Sequence, residues 1–227
     1  MLFLAVFCGF MAEYQLEHKI EGEREKKYME SMVRDLIEDT AKLNRAISNN
    51  IYKFNCMDSL IRLLTKEQIS SEDELNLYEM YFQAVSIFPF FSNDRTSRQL
   101  LTSGNMRLIK NASVADSIIE YYGPKKDYID EEIKDVTHFT YEANLFSQDI
   151  FDFTSIQIRL KPDTTFDYKP QPNKMKLLAK NKELLLKYAN KNAACRGLVG
   201  AYFRNLMQQR KRAISLITLL KKEYHLK

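Results

Sequence analysis

Met29-Glu-Ser-Met-Val-Arg-Asp-Leu-Ile-Glu-Asp-Thr-Ala-Lys-Leu43 opens a run in which apolar or small residues recur at Met29, Val33, Leu36, Thr40 and Leu43. The pattern continues at Ile47, Ile51, Phe54, Met57, Ile61 and Leu64, with a mean spacing of 3.5 residues. That is the heptad repeat of a long helix packed along one side, and neither Gly nor Pro interrupts it between Glu23 and Ile69. After Asn181, a plausible N-cap, a second seam runs through Leu185, Tyr188, Cys195, Val199, Tyr202, Leu206, Gln209, Ala213, Leu216, Leu220 and Tyr224. The expected fold is all-α: a long-helix antiparallel bundle continuing from an N-terminal partial transmembrane helix, with shorter helices between the first and last long ones.

The shorter helices are marked by their ends. Ser71 with Glu74 reads as a capping box that starts a helix through Leu75, Tyr78, Phe82 and Val85, and Pro89 ends it near Phe88. A helix from about Asp94 carries Leu100 and Leu101 and stops at Gly104, the residue type that takes a left-handed cap without strain. Asn111 or Ser113 starts the next, with Val114, Ile118 and Tyr122 inward, and Gly123-Pro124 closes it. A fifth carries Ile129, Ile133, Val136, Thr140, Ala143 and Ile150. Residues 154–174 contain Pro162, Pro170 and Pro172 and read as loop, because the alternating Ile156, Ile158 and Leu160 have no evident strand partner. Gly197 and Gly200 weaken the last helix, and their expected use is close approach of a neighbouring helix.

Composition narrows the class. The chain has 227 residues, 45% hydrophobic and 28% charged, which excludes disorder. Six glycines and five prolines are about 5% of the chain, against roughly 12% in average usage, so turn formers are scarce. Cys8, Cys56 and Cys195 are far apart and form no CxxC pair, so neither a zinc cage nor a thioredoxin-type redox pair is written here. If the first and last long helices are antiparallel and aligned at Thr65 and Lys182, the residue opposite Cys56 is near 191, about one turn from Cys195, and a periplasmic setting would permit a disulfide between the two.

Met1-Leu-Phe-Leu-Ala-Val-Phe-Cys-Gly-Phe-Met-Ala12 carries no charge, and the chain turns polar at Glu13. Twelve helical residues span about 18 Å, short of the roughly 30 Å hydrocarbon core. A secretory signal would open with Lys or Arg and close on small residues, and a lipoprotein signal through Cys8 would not carry bulky Phe7 before it. Residues 1–12 are therefore expected to form a partial transmembrane helix, with 13–227 as a soluble helical-bundle domain. The alternative is a buried helix start.

Net charge is +4, but residues 171–227 carry +12 and residues 1–170 carry −8. A basic end of this kind pairs with acids of its own chain, with anionic lipid or with nucleic acid. Intramolecular pairing is the first expectation, and the stretch from Glu13 to Asp39, with nine acidic residues against five basic ones, is the candidate acidic surface. No RRM, zinc-finger or basic-zipper pattern accompanies the charge, so nucleic acid is not an expected partner.

Site chemistry is sparse. Arg107, following Ser103-Gly104-Asn105, is the candidate ligand-binding residue, since its planar fork could hold a carboxylate or phosphate. The same cluster is also consistent with a structural role, with Gly104 ending one helix, Asn105 capping the next turn and Arg107 paired to an acid. Asp135, His138 and Glu142 share a helical face and make half of a carboxylate-bridged metal site, with no second half. There is no G-x-S-x-G elbow and no GxxxxGK phosphate loop, so no catalytic residue, metal or cofactor is assigned.

Phe3 to His18, Arg24-Glu-Lys-Lys-Tyr28, Asp35-Leu36 with Asp39, Thr102 to Asn111 and Asp116 to Gly123 together resemble an uncharacterised family of Gram-negative bacterial membrane-anchored helical proteins. The resemblance implies a single-pass anchor whose first part precedes Met1, a soluble helical domain on the periplasmic side of the inner membrane, and no assigned reaction. The functional expectation is a non-enzymatic interaction or sensory-type domain that meets the bilayer through residues 1–12 and a protein partner or a second copy through its helices. A helical metal protein or enzyme using Asp135, His138 and Glu142 is the alternative, and nucleic-acid binding through the basic last helix is a third.

Overall fold

The computed structural model describes residues 2–160, 166–170 and 175–226. Its elements are α1 (Leu2–Leu64), α2 (Ser71–Ala84), α3 (Arg95–Thr102), a 3-10 turn (Asn105–Leu108), α4 (Ala112–Tyr122), α5 (Pro124–Ser147), β1 (Ile156–Leu160), β2 (Phe166–Pro170) and α6 (Lys182–Glu223). They form two compact units. Unit 1 comprises Met1–Arg45, Phe90–Tyr128 and Met207–Lys227, and unit 2 comprises Ala46–Pro89 and Ile129–Leu206. Both draw on α1 and α6, so no linker separates them in sequence.

The α1 repeat is real, but its phase differs from the apolar reading. The buried stripe is Glu25, Met29, Met32, Leu36, Asp39, Leu43, Ala46, Asn50, Lys53, Met57, Leu60 and Leu64. Its spacing alternates between four and three residues, as a heptad requires. Thr40, Ile47, Ile51, Phe54 and Ile61 each lie one position from the residue that is buried, and Ile51 is 37% exposed. The cause is that the helix buries polar or small residues at Asp39, Ala46, Asn50 and Lys53, which hydropathy alone passes over. In α6, Leu185 through Leu220 of the predicted seam are buried, Gln209 included, and Asn192 fills the gap between Tyr188 and Cys195.

Within unit 2 the two long helices run antiparallel. Lys182 donates to the carbonyls of Thr65 and Lys66 at 2.8 and 2.5 Å, placing a cation on the C-terminal carbonyls of α1. Farther along, Arg196 pairs with Asp58, and Phe54 meets Phe203 edge-on at 5.7 Å. Gly200 lies against Phe54, where a Cβ would come within 3.1 Å of the ring. Gly197 has open space, so close approach explains only one of the two glycines. Within unit 1, Tyr224 near the end of α6 reaches Glu25 on α1 at 2.6 Å.

Several boundaries move by a residue or more. The capping box of α2 is Ser70 with Asp73, which frees Glu74 to turn into the core, and the helix ends at Ala84 rather than near Phe88. Asn111 caps α4 through the amides of Ser113 and Val114, and Pro124 sits in the first turn of α5, where its missing N–H costs nothing. The loop reading of residues 154–174 is corrected. Ile156–Leu160 pairs antiparallel with Phe166–Pro170, so a two-stranded sheet joins the helices. Proline ends β2, as a residue without an N–H can; Pro162 and Pro172 lie outside the described residues.

The first turns of α1 are not buried. Phe3, Phe7, Phe10 and Tyr14 are 83%, 55%, 66% and 61% exposed, and Glu25 is the first buried residue among those described. Among the described residues no helix is long and apolar enough to cross a membrane, so the transmembrane part of the expectation has no span here.

The glycines give a paired test. Gly200→Leu is expected to lower unfolding free energy by about 1–3 kcal/mol through overpacking against Phe54. Gly197→Ala is expected to raise it by about 0.5–1 kcal/mol through helix propensity. Urea titration of the two variants beside the parent chain checks both signs.

Candidate functional site

Each predicted site residue has a definite place. Gly104 adopts φ 67°, as expected of the residue that ends α3. Asn105 does not cap the following turn; its side-chain amide donates to the Tyr28 hydroxyl at 2.9 Å. Arg107 is exposed on the 3-10 turn and makes no ion pair among the described residues, so the acid of the structural alternative is not there. On α5, His138 Nε2 lies 3.4 Å from Glu142 Oε1, both largely exposed, and the other oxygen of Glu142 lies 3.5 Å from Lys191. Asp135 is exposed. No three His, Cys, Asp or Glu side chains are grouped to hold a metal ion among the described residues.

The chemically distinctive groups are buried ones on α1. In unit 1, Asp35 and Asp39 are one turn apart and fully buried. Asp35 accepts from the Thr96 amide at 3.2 Å, the Thr96 hydroxyl at 2.5 Å and Arg95 at 3.0 Å. Asp39 accepts from the Asn93 amide at 2.6 Å and the Tyr121 hydroxyl at 2.9 Å. Both carboxylates thus sit at the N-terminal side of α3, where unsatisfied N–H groups and the helix dipole favour negative charge. Burial raises the Asp39 pKa, while the Asn93 amide, the Tyr121 hydroxyl and Lys42 pull it back.

Unit 2 carries the opposite charge in the equivalent role. Lys53, fully buried, donates to the Ser86 carbonyl at 2.8 Å and to the Thr140 hydroxyl at 3.0 Å. Asn50 donates to the Phe88 carbonyl at 2.8 Å. These carbonyls follow the end of α2, where the dipole is negative and acceptors outnumber donors. Burial draws the Lys53 pKa down to about 8, with Cys195 acting in the other direction. The Cys195 sulfur lies 3.3 Å from Thr140 Oγ1, and both Cys195 and Cys56 are free buried thiols. Glu74 follows the same logic, accepting from the Leu177 amide at 2.9 Å and from Lys180.

The basic C-terminal region pairs with its own chain, though not with the acids expected. Lys180 meets Glu74, Lys191 meets Glu142, Arg196 meets Asp58 and Arg212 meets Glu120. Among the acids between Glu13 and Asp39, Glu25 receives the Lys110 amide and Tyr224, Asp35 receives Arg95, and Glu38 receives Lys42. Asp35, Asp39 and Lys53 escape a reading by hydropathy. The signal that could have found them is the heptad phase, since strict alternation from Met29 and Leu36 lands on Asp39 and Lys53.

Comparison with known proteins gave no match to a family model, a curated protein or a solved structure.

Two pH responses follow. Because Lys53 holds its proton less tightly when folded, unfolding takes up a proton between about pH 8 and 10.5. Stability is therefore expected to rise by about 3 kcal/mol across that window, and Lys53→Met to remove the rise. Asp39 has the reverse sign: its folded form holds the proton more tightly, so its contribution falls as pH rises above 3.8. Asp39→Asn is expected to flatten that fall. Denaturant unfolding of parent and variants across pH reads both.

Proposed function

We propose that this chain is a membrane-tethered helical module with an interaction or sensory-type role rather than a catalytic one. The observation that carries the reading is the opening of α1, where Phe3, Leu4, Val6, Phe7, Phe10 and Met11 stand exposed with none of the described residues packed over them. So large an exposed run of aromatic and aliphatic side chains on one helix belongs against lipid or another apolar surface. The bilayer is the partner proposed for residues 1–12, and the single-pass, periplasmic placement implied by the family resemblance is part of the same proposal. A non-catalytic role is favoured by the employment of Asp35, Asp39, Lys53 and Glu74, each already engaged by main-chain groups of its own unit.

The test is flotation with phosphatidylcholine vesicles. The parent chain is expected to float with the lipid, and Phe7→Asp with Phe10→Asp to reduce partitioning by about a hundredfold or more, given the cost of a carboxylate in the apolar layer. A parent chain that stays in the aqueous fraction overturns the proposal.

A further inference from the structure

We infer that one end of unit 1, where α1, the 3-10 turn and the end of α6 meet, is a docking surface for anionic lipid headgroups; this rests on the membrane reading above. Two contacts define that end. The Glu25 carboxylate accepts from the Lys110 amide at 3.1 Å and from the Tyr224 hydroxyl at 2.6 Å. Asn105 reaches Tyr28 at 2.9 Å, so the turn that carries Arg107 is held against the same part of α1.

Around these contacts gather basic side chains that make no ion pair among the described residues: Arg24, Lys26 and Lys27 from α1, Arg107 and Lys110 beside the 3-10 turn, and Lys221 and Lys222 from α6. All except half-buried Lys221 are exposed. Farther along the basic region, Lys180, Lys191, Arg196 and Arg212 already have carboxylate partners. Glu23, Glu25, Glu30 and Glu223 share this end, and a net positive charge remains. A groove of about 440 Å³ opens between α1 and the C-terminal residues, with Lys26, Arg34 and His225 over an apolar floor of Val33, Ile37 and Leu226. Basic clusters beside a membrane-embedded helix attract anionic headgroups, each residue adding to the affinity.

Helix phase brings this end to the lipid. Tyr14 lies about three turns before Glu25, so the stripe Phe3, Phe7, Phe10 and Tyr14 falls on the side of α1 to which Met29 and Met32 bury. Upright, the helix would hold Arg24 about 15 Å beyond Tyr14. That is nearly two Debye lengths of roughly 8 Å, and the attraction would be largely screened. Inclined toward its aromatic stripe, the helix lowers Lys110, Lys221 and Lys222 toward the headgroups. Arg107, for which the sequence suggested an anionic ligand, then binds phosphate as one member of a basic surface.

The experiment compares partitioning of the full chain into phosphatidylcholine vesicles and into vesicles containing about one third phosphatidylglycerol. The anionic vesicles are expected to bind about tenfold or more tightly, with the preference shrinking as salt is raised. The combined variant Arg107→Glu, Lys110→Glu, Lys221→Glu and Lys222→Glu is expected to keep the parent's binding to phosphatidylcholine and to lose the preference. The control Arg210→Glu with Lys211→Glu, on the same helix away from this end, is expected to retain it. Equal partitioning of the parent chain into both vesicle types, or a preference untouched by salt, overturns the inference whether or not the combined variant folds, and leaves the membrane reading standing. A preference that survives in the combined variant, or is lost equally in the control, overturns the assigned surface. Failure of the parent chain to bind either vesicle overturns both proposals.

Discussion

Main-chain polar groups taken out of water must find partners, and in this protein many of the partners are side chains of the long helix α1. The segment entering α3 presents amides at Asn93 and Thr96, and Asp39 and Asp35 accept from them. The segment leaving α2 presents carbonyls at Ser86 and Phe88, and Lys53 and Asn50 donate to them. The Lys110 amide is taken by Glu25, and the Leu177 amide by Glu74 of α2. The sign of the charge follows the need in each case: carboxylates where N–H groups are left over, an ammonium where carbonyls are. Replacing one of these side chains with an apolar residue would leave a main-chain group buried without a partner, at about 1–3 kcal/mol each.

This arrangement explains why a helix with so many polar residues on its buried stripe is nevertheless packed along it. A buried charge is costly unless it is hydrogen-bonded, and each of these is. The residual cost shows as titration shifts, with the Lys53 pKa drawn down to about 8 and the Asp39 pKa raised by burial. In return the irregular connections are held in one place. The same groups are tied to main-chain atoms of their own unit, so they serve the fold directly.

The surface divides the basic residues into two populations. Those along the middle of α6 face carboxylates of α1, α4 and α5, which offset part of the positive charge of the C-terminal region. Those near Glu25 and Tyr224 have no such partners among the described residues, and three of them, Arg24, Lys26 and Lys27, stand on the helix that carries the exposed aromatic stripe. Under the membrane proposal the two would act differently, the apolar stripe through burial of area and the basic end through headgroup attraction.

The local rules of the chain are visible in its sequence. Helical content follows from the 3.5-residue periods and the scarcity of Gly and Pro, the left-handed stop from Gly104, the cap of α4 from Asn111 and the break between α4 and α5 from Gly123-Pro124. The α6 stripe is legible because its buried residues are mostly apolar, while the meeting of Lys182 with Thr65 is a contact that the structure supplies. The phase of α1 is not, because Asp39, Asn50 and Lys53 look like surface residues until a distant segment arrives to use them. Asp39 is buried because Asn93 brings an amide to it, and Lys53 because Ser86 and Thr140 bring oxygens. The partner of β1 was hidden for the same reason, although Phe166-Asp-Tyr-Lys-Pro170 alternates as strands do. Sequence alone determined which segments are helical and, to within a few residues, where they stop, since caps, breakers and periodicity act locally. Tertiary structure alone decided which polar groups are buried and with what charge, since that depends on main-chain donors and acceptors supplied from tens of residues away.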